Sequence, residues 1–324
     1  MWAMIISKAI TQGIPLLYGS TGEIITEKSG NLNLGIPGIM YIGGSAGVIG
    51  AYLYEQSALV PHPFWCIVIP LLSSVLGSAL AALIYSFLTI TLRANQNVTG
   101  LALTTFGVGF GDFFGGSLTK IFAGGGNLSV KTTADYFKTP LPFADDLGAI
   151  GTVLFSYGFL AYLAVIIAVI ASWVLNKTRI GLQLRAVGEN PATADAAGIN
   201  VAKYKYIATC IGGIIAGLGG LYFIIDYTGG SWTNGGFGDR GWLAIALVIF
   251  ALWKPNLSII GSFVFGGLYI AYSYISGLSR SAVAIFNMIP YLVTILVLIL
   301  TSVRNKKENQ PPASLGLPYF REDR

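Results

Sequence analysis

The chain has 324 residues, of which 54% are hydrophobic and only 10% charged, and its mean hydropathy is +0.70. A soluble globule normally carries about 25% charged residues, so this composition excludes a water-coated domain and indicates an integral membrane protein. The net charge of +5 comes from basic residues that flank apolar segments without forming one basic surface, which argues against nucleic-acid binding.

Apolar stretches long enough to cross a hydrocarbon layer of ~30 Å recur along the chain, and helices satisfy their own backbone polar groups there. The short alternating segments of a β-barrel do not occur. The sequence therefore predicts an all-α, polytopic bundle of about nine spans (eight to ten), near 3–22, 33–54, 64–92, 98–116, 150–174, 204–225, 241–253, 257–277 and 284–303. The first lacks a small-residue cleavage site after a basic start and reads as a retained span. Between the first two, "GEIITEKSGNLNLGIPGIM" places Glu23, Glu27, Lys28, Asn31 and Asn33 beside the helix breakers Gly35, Pro37 and Gly38. That pattern fits either a discontinuous helix at a gating site or a loop leading into a Pro in the first helical turn. The long third segment is a candidate for a kink at Pro70, and the seventh is short enough to be broken or re-entrant. Its glycine-rich opening, "NGGFGDRGW", is another polar approach to a span.

Glycines recur at helical spacing: Gly43 and Gly47, then Gly107, Gly111 and Gly115, then Gly213 and Gly217. Such faces let helices approach closely in lipid, and they also suit a wide pathway or a hinge. Cys66 and Cys210 lie in apolar segments and read as small buried hydrophobes. His62, in the turn "VPHPF", has no ligand company, so no metal site or cofactor is expected.

Charge sets the expected orientation. Residues 175–205 hold Lys177, Arg179, Arg185, Lys203 and Lys205, and the tail holds Arg304, Lys306, Lys307, Arg321 and Arg324, together ten of the 19 basic residues. Loop 117–149 balances Lys120, Lys131 and Lys138 with Asp135, Asp145 and Asp146. By the positive-inside rule the first two regions are cytoplasmic and the third external, so the N-terminus is outside and the C-terminus inside. The chain divides into a transmembrane domain, 1–303, with a cytoplasmic loop at 175–205, and a cytoplasmic tail, 304–324.

Within that loop, "RAVGENPATADAAGIN" carries a helix start at Asn190 and Pro191, a run of helix formers, and a stop at Gly198. A two-turn helix so polar does not insert. Its small side chains admit another protein's surface, and Arg185, Glu189 and Asp195 supply orienting charge, which suits a membrane channel moved by a soluble motor. No G-x-x-x-x-G-K-[ST] phosphate loop occurs, and "GVGFGDFFGG" and "AGGGN" lack the strand-turn-helix setting of a cofactor loop. An energy source, if ATP, belongs to another subunit.

The same loop resembles the coupling-helix loop of bacterial ABC importer permeases in the family that carries branched-chain amino acids, simple sugars and nucleosides. "GEIITEKSGNLNLGIPGIMYIGG", "NVTGLALTTFGVGF", "GDRGWLAIALVIFALWKP" and the tail "PPASLGLPYFRE" are similar to the nucleoside and simple-sugar branch, in order along the whole chain. The resemblance implies a permease subunit in the bacterial cytoplasmic membrane, without its own ATPase site. Its implied partners are a sister permease, two cytoplasmic ABC ATPase subunits and an extracellular substrate-binding lipoprotein. The residues expected to couple to the ATPase are Arg185, Glu189, Asn190, Pro191, Asp195 and Gly198. Asn33, Asn97, Thr104 and Phe106, polar or aromatic groups within spans, are the expected pathway residues, and Asp112 and Asp226 are expected near external span ends. The alternatives are an ion-driven secondary transporter, for which Lys8 and Glu23 would be the relay candidates, and a branched-chain amino acid permease. An enzyme would need a nucleophile, base or metal cluster that one His and two unaccompanied Cys do not supply.

Overall fold

The computed structural model describes residues 2–122, 128–142, 144–275, 279–304 and 309–322. Lys306, Lys307, Arg324 and the glycine-rich residues 123–127 lie outside them. The described residues are helical in long runs: α1 (Trp2–Glu27), α2 (Ile36–Ser57), α3 (Pro63–Ser86), α4 (Gln96–Phe122), the short α5 (Lys131–Phe137) and α6 (Gly148–Leu154), α7 (Phe159–Lys177), α8 (Arg179–Glu189), α9 (Pro191–Ala196), α10 (Val201–Tyr222), α11 (Arg240–Phe250), α12 (Pro255–Ile270) and α13 (Arg280–Arg304). Five of these runs are long and apolar enough to cross a membrane, at Ile36–Ser57, Pro63–Thr91, Phe159–Lys177, Val201–Tyr227 and Ser281–Leu300, and α11 and α12 are shorter apolar helices.

The bundle is built around α1, which packs against α10, α11 and α12, while α2 packs against α3, α4 and α10. Lipid supplies no hydrophobic drive between helices, so close backbone approach has to hold them. A methyl added to Gly43 would stand 2.5 Å from Gly217 Cα, and one on Gly107 would stand 2.4 Å from Gly38 O. Gly115 differs, since a methyl there would meet the Trp232 indole at 2.3 Å, whereas one on Gly111 would meet both Tyr41 of α2 at 2.9 Å and that indole at 3.1 Å.

Several sequence expectations are revised. The fifth span, expected at 150–174, is interrupted at 155–158, where Gly158 adopts extended backbone and starts α7 afresh. The expected loop from 117 is helical to Phe122 and later carries α5 and α6. Helix α3 runs unbroken through Pro70, and its irregularity is a π-helical turn at Phe87–Thr91. The short seventh segment is a helix of 11 residues, ~16 Å long at 1.5 Å per residue. It stops where Leu252 and Trp253 take left-handed φ values of +54° and +55°, a conformation that costs about 1–3 kcal/mol per non-glycine residue and needs surrounding ties. One tie is the Trp253 indole N–H donated to the Glu27 carboxylate.

Helices α2 and α10 run between two unlike ends. One gathers α8, α9, the connector 28–35 and the tail. The other gathers residues 128–158 and 228–239, where Ser129 and Ser231 form an isolated β-bridge and Glu55 accepts the Thr133 N–H at 2.7 Å.

Candidate functional site

At the first of these ends, local chemistry shapes α9. The Asn190 side chain accepts the Thr193 N–H at 3.0 Å, Pro191 takes the first helical position, and Gly198 closes the helix at φ +83° with the Ile199 N–H donated to Ala194 O at 3.0 Å. Asn200 then caps α10 by accepting the Lys203 N–H at 2.9 Å. Ala194 is buried against Val187 and Val201, leaving Ala192, Thr193 and Ala196 exposed.

The charged residues expected beside α9 divide. Arg185 and Glu189, one turn apart on α8, line a cavity of about 340 Å³ with Lys28, Trp253 and Lys254. Burial pushes the Lys28 ammonium down from its ordinary value; the Glu189 carboxylate opposes that shift and Arg185 adds to it. Asp195 turns inward: its Oδ2 accepts the Tyr319 hydroxyl at 2.9 Å and Arg321 Nε at 3.1 Å, so it holds the tail against the loop.

Beneath α8 lies the connector. A methyl added to Gly188 would stand 2.3 Å from Lys28 O, and the Ser314 N–H and hydroxyl both donate to Gly188 O, at 3.0 and 2.6 Å. Gly30, at φ +81°, makes the turn between α1 and α2. Besides local turns such as the Gly35 N–H donated to Asn33 Oδ1 at 2.9 Å, the connector is fixed from other helices. Glu23 Oε1 accepts the Asn33 N–H at 2.9 Å, Gln96 Oε1 accepts the Leu32 N–H at 2.7 Å, and Tyr85 donates to Leu32 O. Asn31 Nδ2 donates to Thr209 Oγ1 at 3.1 Å. Of the two readings of this stretch, a loop leading to a Pro-started helix describes its geometry, since Pro37 opens α2, yet no residue of the loop is exposed and most are buried.

The expected pathway residues do not converge on one cavity. Asn33 is buried in the connector, and Thr104 donates to Leu34 O at 2.7 Å on the same face of α4. Asn97 and Phe106 are exposed, and Phe106 lies in an apolar groove of about 610 Å³ between α3 and α4.

At the opposite end, Asp112 is half-buried and accepts the Gly235 N–H at 3.2 Å. Asp226 lines a polar cavity of about 740 Å³ with Lys8, Gln12, Tyr227, Tyr269 and Arg240. Arg240 was not anticipated. It is buried, its guanidinium donates to Gln12 Oε1 at 3.2 Å and to Phe237 O at 2.9 Å, and it stacks over Phe223 and Tyr269 at 4.5 and 4.9 Å. Burial of ionisable groups extends beyond Glu23, already named as a relay candidate: Glu27, Lys205 and Arg240 are buried too. Periodicity places them at span ends, and only packing shows that those ends are covered by the connector, the tail and loop 228–239.

A family model described as branched-chain amino acid transport system / permease component matches residues 5–298. The chain belongs to this permease family. It is 30% identical to the nucleoside ABC transporter permease protein NupC of Lactococcus lactis subsp. cremoris, over 92% of this chain and 92% of the relative. It is also 30% identical to the guanosine ABC transporter permease protein NupQ of Bacillus subtilis, over 99% and 98% of the two chains. The same identity, over 99% and 98%, relates it to a Haloferax volcanii chain named provisionally as a glucose ABC transporter permease. Family membership and apolar helices together make this permease a multi-pass membrane protein. The residues that sequence reasoning missed in it are Gly188, Ser314, Tyr319 and Arg321. The tail motif was visible, but nothing in its spacing shows that it folds back more than 100 residues onto α8 and α9.

Proposed function

We propose that this permease is one of two membrane subunits of a bacterial ABC importer for nucleosides, receiving solute from an extracellular binding lipoprotein and driven by ATPase subunits on its cytoplasmic face. The nucleoside and guanosine permeases among its relatives support the solute class, and the glucose-named relative makes a simple sugar the competing cargo. In this reading the chain crosses the bacterial cytoplasmic membrane nine times, N-terminus outside and C-terminus inside. Residues 1–303 form the permease domain and 304–324 the cytoplasmic tail. The observation that carries the proposal is the backbone contact of Gly188 with Lys28 and Gly30 beneath the doubly capped α9. A push on α9 reaches the α1–α2 connector without passing through a flexible side chain. Bistable packing then turns that push into alternating access of the pathway.

Arg185, Glu189, Asn190, Pro191 and Gly198 shape or flank the docking helix, and Asp195 anchors the tail beside it. Asn33 and Thr104 act at the inner end of the pathway, and Asn97 and Phe106 on the face of α4 toward the sister permease. The test is uptake of radiolabelled guanosine into proteoliposomes holding both permeases, the ATPase and the lipoprotein. Asn190→Lys with Asp195→Lys abolishes ATP-driven uptake while membrane insertion persists; wild-type uptake at matched insertion overturns the coupling role. Uptake that an ionophore collapses and ATP depletion spares would instead establish the ion-driven alternative. Competition by excess glucose or leucine, but not by nucleosides, would replace the cargo.

A further inference from the structure

Lys205 occupies an unusual position for a lysine. It sits in the first turn and a half of α10, 3% exposed, and lines a cleft of about 410 Å³. The walls of that cleft come from three separate parts of the chain: Thr89 and Arg93 beyond α3, Asp195 to Ala202 at the exit of α9, and Pro318 to Arg321 of the tail. Among the described residues the Lys205 side chain has neither an ion-pair nor a hydrogen-bond partner.

The other charges around the cleft are already matched. Asp195 is held by Arg321 at 3.1 Å and by Tyr319, and Glu322 pairs with Arg93 at 3.5 Å while Arg93 also stacks on Phe320 at 4.6 Å. Among the described residues, three cations at or beside the cleft thus accompany two carboxylates, and the unmatched one is the most buried. An ammonium withdrawn from water without a counter-charge is costly, and removal of that cost favours any carboxylate that enters. The cleft adjoins α9 directly, sharing Asp195 with it and reaching Gly198 at its end, so a surface seated on the exposed Ala192, Thr193 and Ala196 adjoins the cleft.

We infer that this cleft receives an acidic side chain of the cytoplasmic ATPase subunit, with Lys205 as its counter-charge and the tail as the second wall of the seat. The inference rests on the importer reading and extends it: the docking surface is α9 together with the folded-back tail, and the specificity contact is an ion pair completed only in the assembly. A small free anion could satisfy the same ammonium. The position of the cleft on the docking face favours the protein carboxylate.

The experiment uses wild-type and variant permease complexes in nanodiscs. Lysine acetylation is read residue by residue by mass spectrometry, and association with purified ATPase is measured in parallel. Lys205 is expected to be acetylated in the free permease and protected when the ATPase is bound, and the Lys205→Met complex should bind the ATPase about tenfold more weakly, with Lys205→Arg restoring most of the affinity. Binding of the Met variant should also depend less steeply on salt. Unchanged acetylation of Lys205 on ATPase binding overturns the inference, and this readout needs no variant to fold. Equal protection by inorganic phosphate alone overturns it too, in favour of a small-anion site. Failure of the ATPase to bind wild-type permease would instead remove the importer reading itself.

Discussion

Residues 28–35 and 190–200 are both short, polar and glycine-bearing, and both interrupt long apolar helices, yet the structure treats them in opposite ways. The second is shaped by itself: Asn190 and Asn200 cap the helices that follow them, and Gly198 ends the one between. The first has few local bonds to rely on and is buried, its N–H and C=O groups reaching Glu23, Gln96 and Tyr85 on three different helices. Polarity within a membrane protein therefore marks two kinds of segment. One stays outside because it satisfies its own backbone, and the other can be buried because the bundle satisfies it. Their contact at Gly188 joins an element that can move as a unit to one that cannot move without its neighbours.

Substitutions at that contact should separate the two most sharply. Gly188→Ala places a methyl against the Lys28 carbonyl at 2.3 Å, where only backbone can give way. We expect a loss of about 3 kcal/mol, the upper end for overpacking, seen as a lower unfolding temperature in nanodiscs, together with loss of ATP-driven uptake. A stability equal to wild type would mean that α8 and the connector are not rigidly joined. Glu23→Ala comes next. It strands the buried Asn33 N–H, at a cost of about 2 kcal/mol, and Glu23→Gln, which keeps an acceptor, should recover most of it. Equal melting of the two variants would show that the bond does not hold the connector. The smallest effect belongs to the self-sufficient region: Asn190→Ala removes one cap bond to an exposed helix and should cost about 1 kcal/mol. Cleavage within 186–200 by a protease of broad specificity should rise while global melting barely changes, and a global loss as large as that of Glu23→Ala would erase the distinction between the two segments.

Helix α9 was legible in the sequence because capping is a matter of neighbours: Asn190, Pro191 and Gly198 act over a few residues, and the helix appears between them. The long spans were legible for a related reason, since hydropathy over about 20 residues is a local sum. The interruption at 155–158 was not, because an apolar run reads the same whether or not a glycine in it resumes the helix at a new angle. Nor was the burial of Arg240, whose partners Gln12 and Phe237 are brought together by loop 228–239 and the N-terminal half of α1. Asp195 shows how a correct local reading can miss its purpose: it lies in the expected helix, but its carboxylate is taken by a tail 124 residues away.

Composition, span periodicity and local caps were sufficient to specify a helical membrane protein with an exposed two-turn helix between two spans, since each depends on free energies summed over adjacent residues. Which polar groups are buried, and how the tail and connector brace that helix, was decided only by tertiary packing. The hydrogen bonds and close glycine contacts responsible join residues far apart in the chain, and a group stranded without them would be too costly to leave inside the bundle.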